Sequence, residues 1–110
     1  MSSVVLYGVY TARFPFLDND KDKIRPVVVV SKTHGQHNIV SVVPVSSQVA
    51  QEDIDIELQD WPNSGLVKPS IARVHRLSAL LQSELTSQLG VLSVSDRNNL
   101  LKSLKKLLII

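Results

Sequence analysis

The sequence predicts an α+β domain in which short strands come first and helices follow, and three observations carry that prediction. Residues 27–30 are four consecutive valines, Ile54, Ile56 and Leu58 alternate with Asp55 and Glu57, and leucines near the C-terminus recur at helical spacing. Strands grouped ahead of helices, with no repeat, linker or low-complexity tract between them, indicate one domain over residues 1–110, built on a small, strongly bent sheet or barrel.

Residues 4–14 mix β-branched, Leu and Tyr side chains and run into Pro15 and an Asp/Asn-rich loop, so they read as a first strand in which Gly8 marks a bulge or bend. Pro26 opens the next strand. Its valines are β-branched all the way round, which calls for burial on both faces. A turn is expected at residues 34–37, where Gly35 sits between two histidines. Residues 39–45 resume the apolar pattern, and Pro44 implies an edge position or a bulge at the strand's end. Ser46 and Ser47 come just past it.

The alternation at residues 54–58 predicts a strand with one wet face. W-P-N-S-G reads as a loop or short helical turn, and residues 66–77 as another strand, with positions 71, 73 and 75 on one face. From Ser78 the spacing of Leu80, Leu81, Leu85 and Leu89 predicts a short helix that Gly90 ends. A second helix follows, capped by Ser93 or Ser95, with Asp96 at its positive end and Leu101, Leu104 and Leu108 on one stripe beside Leu100 and Leu107. Its lysines and leucines would also suit a basic membrane-surface helix. Packing on a small sheet or on a partner subunit accounts for the same residues, and exposed Ile109 and Ile110 would favour a subunit interface.

Composition narrows the chemistry. At 44% hydrophobic and 20% charged residues the chain is one that folds. It contains no cysteine, which excludes disulfides, thiolate catalysis and Cys-based zinc sites. No leader pattern and no apolar run near the roughly 20 residues of a membrane span is visible, so a soluble cytoplasmic protein is expected. Net charge is only +2, but residues 1–37 carry five Lys/Arg against three acids, residues 38–60 none against five, and residues 61–110 seven against two. The flanks would attract phosphate and the middle, Glu52 to Asp60, would repel it. One Trp, two Tyr and two Phe are little material for a base-stacking platform, so any nucleic-acid contact should lean on charge and hydrogen bonds.

Arg25 at the mouth of a buried strand, and Ser46 and Ser47 at the end of another, are one cationic and two hydroxylic groups suited to an anion. His34 and His37 lack a third ligand nearby in sequence, and Asp18, Asp20 and Asp22 lack the Gly and terminal Glu of a calcium loop, so neither metal nor cofactor is expected.

Five stretches in order, G-V-Y-T-A-R-F-P-F, I-R-P-V-V-V-V-S, V-P-V-S-S-Q, G-L-V-K-P-S-I-A-R and Q-L-G-V-L-S, resemble the MazF/PemK family of toxin ribonucleases. The resemblance implies an SH3-like barrel with a C-terminal helix, a homodimer, and metal-independent cleavage of single-stranded RNA to 2′,3′-cyclic phosphate and 5′-hydroxyl ends. It also implies a small acidic antitoxin whose disordered segment folds across the site. Arg25 matches the arginine that stabilises the phosphorane, and Ser46 with Ser47 stand where relatives carry Thr-Ser or a similar pair. Arg73 matches a phosphate-binding arginine. His75 stands where several relatives carry Asp, and a histidine, with an ordinary pKa near 6.5, can move the same proton; a hydrogen-bonded surface histidine is the alternative. Lys23, Ser47 and Arg76 complete the expected RNA contacts. Two other readings stay open: a non-catalytic SH3-like binding module, and a toxin aimed at a protein, as the structurally similar gyrase poisons are.

Overall fold

The computed structural model describes residues 4–13, 24–48 and 52–109. In chain order it places β1 (Gly8–Arg13), β2 (Ile24–Val29), β3 (Ile39–Ser46), β4 (Ile56–Leu58), β5 (Ser70–Ala72), β6 (Ser78–Leu81), β7 (Leu85–Val91) and α1 (Val94–Leu108). Short 3-10 turns cover Trp61–Ser64, Val74–Arg76 and Gln82–Glu84. All strand pairs are antiparallel, in the order β4-β5-β3-β2-β1-β7, with β6 also on β3. Among the described residues no ladder joins β7 back to β4, so the expected barrel is here a bent, open sheet.

The valine run sits at the centre. Val27, Val28 and Val29 are fully buried, because alternate side chains leave a strand on opposite faces and both faces of β2 are covered. Val28 packs with Val9, Val43, Val45 and Leu100 under the helix, whereas Val27 and Val29 pack with Ala12, Val40, Val42 and Leu80 on the other side.

Pro44 lies neither at an edge nor at a bulge. Strand β3 pairs with β6 through Ile39 to Val42 and with β5 through Val45 and Ser46, and Pro44 falls where the partner changes. No donor is needed there, and its carbonyl accepts a 2.8 Å hydrogen bond from the Arg73 amide.

Three other expectations are corrected. The helix from Ser78 is instead β6 and β7: residues 78–81 pair with 39–42 and residues 85–91 with β1. Leucine spacing mimics a helix there, but Leu81 and Leu89 are 43% and 40% exposed, and tertiary pairing overrides the local pattern. The strand over residues 66–77 shrinks to β5, so His75 stands on a 3-10 turn rather than beside Arg73 on a strand face. In α1 the buried seam is Asp96, Leu100, Ser103 and Leu104, with Leu107 beside it, while Leu108 is exposed.

Asp96 explains that phase. Ser93 caps the helix by accepting from the Asp96 amide, and the fully buried Asp96 carboxylate accepts from the amides of Gln59 and Asp60, both at 2.9 Å. A carboxylate in a first helical turn is also favoured by the helix dipole. Asp96→Ala leaves two part-buried amide donors without their acceptor and is expected to destabilise the fold by about 2 kcal/mol, read by chemical denaturation. An unchanged midpoint would remove Asp96 from this role.

Candidate active site

Antiparallel pairing of β2 with β3 sets the site. Val27 faces Pro44, and continuing that register places Arg25 across from Ser46. Both line one cleft of about 240 Å³, together with Ser47, Lys68 and Ser70. The Arg25 backbone is fixed by pairing with Ala12 of β1, and its side chain is on the surface.

Ser46 is half-buried and oriented. Its Oγ accepts from the Gln48 amide at 3.1 Å and from Arg73 Nη2 at 3.4 Å. A hydroxyl has two lone pairs and one hydrogen, so filling both lone pairs leaves the hydrogen to be donated. A cleft holding a guanidinium and such a hydroxyl suits an anionic oxygen.

Behind the cleft lies a buried ionic group. Arg73 is 3% exposed, and its Nη1 stands 3.6 Å from Asp55 Oδ2 without a hydrogen-bond partner. The Asp55 side chain is fully enclosed and accepts from the Glu52 amide at 3.3 Å and from His75 Nδ1 at 2.7 Å. Facing a carboxylate, Nδ1 is the donor of that bond. Ser46, Arg73, Asp55 and His75 therefore form one chain of contacts from the cleft to a partly exposed imidazole.

The family profile of PemK-like, MazF-like toxins of type II toxin-antitoxin systems matches residues 7–108. The chain belongs to this family. No curated protein sequence matches it. Its fold is similar to that of the toxin MazF-mt6 of Mycobacterium tuberculosis, with a TM-score of 0.75 at 19% identity over 94% of this chain and 97% of that one. It is equally similar, at 0.75 and 15% identity over 97% and 96%, to a mycobacterial endoribonuclease in complex with its cognate antitoxin. A further endoribonuclease from mycobacterial species matches at 0.72 and 17% identity, covering 100% of this chain and 95% of that one.

In this PemK/MazF-type chain, the residues expected to act together are not all in one place. Arg25, Ser46 and Ser47 share the cleft, whereas Arg73 touches it from beneath through Ser46. His75 is absent from the cleft lining and connects to it through Asp55 and Arg73. Arg76 is exposed on the turn beside His75. Lys23 lies outside the described residues, as does the loop from Phe14. Sequence reasoning missed Asp55 and Lys68. The sequence alternation puts Asp55 on the wet face of its strand within a phosphate-repelling run, but β4 starts only at Ile56, and Asp55 turns inward to meet Arg73. Lys68 was legible in G-L-V-K-P-S but carried no sign of its distance from Arg25.

No helix among the described residues is long and apolar enough to cross a membrane.

Proposed function

We propose that this chain is the toxin of a type II pair and an endoribonuclease that cuts single-stranded RNA, leaving a 2′,3′-cyclic phosphate and a 5′-hydroxyl. The observation that carries this reading is Arg25 standing across from Ser46 in one cleft. In the reaction the ribose 2′-oxygen loses its proton and attacks the adjacent phosphorus, and the 5′-oxygen leaves with a proton. Arg25 offers a planar fork to the non-bridging oxygens as their charge grows. Ser46 donates its hydrogen to the same group, and Lys68 adds a cation at the cleft wall.

Arg73 is proposed to act through Ser46, fixing the rotamer of that hydroxyl from below. Asp55 and His75 hold Arg73 in place, so His75 is read as a positioning residue in preference to a direct proton carrier. The family frame supports a homodimer working in the cytoplasm, an SH3-like reading of the bent sheet, and an acidic antitoxin that competes with RNA for the cleft.

Incubating the protein with a mixed-sequence single-stranded RNA in EDTA tests the reaction. New 5′ ends that accept label from a kinase without prior dephosphorylation, paired with cyclic 3′ ends, are expected. Intact RNA in the presence of folded protein would point to the binding-module reading. His75→Ala separates the two roles of the imidazole. As a positioning residue it lowers turnover about 10-fold and leaves the acidic limb of the pH-rate profile in place; loss of that limb with a drop beyond 100-fold would make His75 the proton carrier.

A further inference from the structure

A second cleft, of about 280 Å³, borders the first and shares Ser47, Gln48 and Ser70 with it. Trp61, Glu57 and Gln59 form the rest of its character: an aromatic face, a carboxylate and a carboxamide. We propose that this cleft is a nucleobase subsite selective for guanine, holding the base of a nucleotide next to the phosphate bound by Arg25 and Ser46. The proposal rests on the nuclease reading for the identity of the polymer, though its own test does not require cleavage.

Trp61 is a prepared stacking wall. It packs against the main core, and its neighbours Gln59 and Asp60 are tied through their amides to buried Asp96. The turn it begins ends at Gly65, whose φ of +85° belongs to the left-handed region, and a Cβ there would strike the Leu89 carbonyl of β7. At Gly90 a Cβ would lie 2.5 Å from the Ser64 carbonyl, so turn and strand meet backbone to backbone. A base stacking on Trp61 therefore meets a side chain already fixed, and stacking of this kind contributes about 1–3 kcal/mol. The scarcity of aromatic residues in the sequence argues against such a platform; the fold sets the chain's single Trp in the wall of the cleft that adjoins the phosphate cleft.

Glu57 selects the base. A carboxylate repels phosphate, so beside an RNA backbone it suits a base edge that offers hydrogens. Guanine presents two adjacent donors, N1–H and the N2 amine, which a carboxylate accepts as a fork. Adenine and cytosine place one amine beside an acceptor nitrogen, and uracil flanks its single N–H with two carbonyls; each sets a lone pair against the carboxylate. The Gln48 or Gln59 amide can donate to guanine O6. The neighbouring hydroxyl is less available, because Ser70 Oγ donates to the Lys68 carbonyl at 2.8 Å.

The single Trp makes the test direct. Titrating the protein with GMP, AMP, CMP and UMP while following tryptophan fluorescence should show saturable quenching by GMP at concentrations about 10-fold below those needed for the others. Glu57→Gln, at an exposed position, should remove that preference, by weakening the GMP response and relieving the lone-pair repulsion of the other three, while leaving the melting temperature unchanged. Arg25→Ala should keep the GMP preference while losing RNA cleavage. Equal quenching by all four nucleotides, no quenching by any, or a preference that survives Glu57→Gln overturns the proposal. RNA cleaved without a GMP preference defeats this inference alone; a GMP preference without cleavage defeats only the nuclease reading.

Discussion

Arg25→Ala lowers RNA cleavage by about 10²–10³-fold and leaves the melting temperature unchanged. The size follows from the role proposed for Arg25: a preorganised donor aimed at charge that develops in the transition state typically contributes that much to turnover. The neutral effect on stability follows from the placement. The Arg25 side chain is exposed at the start of β2, so its removal opens no core cavity, and the backbone pairing with Ala12 does not depend on it. Arg25→Lys recovers roughly 10-fold of the loss, since an ammonium supplies the charge without the planar two-point fork. Single-turnover cleavage alongside thermal melts reads both quantities. A rate for Arg25→Ala within twofold of the unchanged chain would move the reaction away from this cleft altogether.

Legibility in the sequence followed the range of the forces at work. The valine run of β2 announced burial on both faces because β-branched side chains state a local preference that the sheet only completes. The Ser93 cap and the helix after it were equally local. Residues 78–91 were misread because Leu80, Leu81, Leu85 and Leu89 carry a helical spacing that pairing with β3 and β1 overrules, and those partners lie about 40 to 80 residues away along the chain. The site divided in the same way. Arg25 and Ser46 could be named because each sits at the end of an apolar strand, and the antiparallel register of those two strands brings them together. Asp55 could not be named. Its alternation with Ile54 and Ile56 places it on a wet face, and only Arg73 and His75, arriving from a later turn, account for a carboxylate that is wholly enclosed.

That enclosure gives the second large effect. Asp55→Ala is expected to destabilise the domain by about 3–5 kcal/mol, because it strands the Arg73 guanidinium in the interior without its counter-charge and releases the His75 imidazole. A carboxylate that served only to repel phosphate at the surface would cost less than about 0.5 kcal/mol to remove. Unfolding alone does not establish pairing, so the double variant Asp55→Ala/Arg73→Met decides it. Where the cost of Asp55→Ala is mainly an uncompensated charge, deleting that charge as well and filling its volume restores a large part of the stability, and denaturation midpoints for the four chains give a coupling of more than 1 kcal/mol. Additive losses would mean that Asp55 and Arg73 act independently. The recovered fold should still be slow: in the double variant Ser46 Oγ keeps the Gln48 amide but loses Arg73 Nη2, so its hydroxyl can turn away from the cleft. Stability regained without activity is what separates the ionic group's work on the hydroxyl from its work on the core.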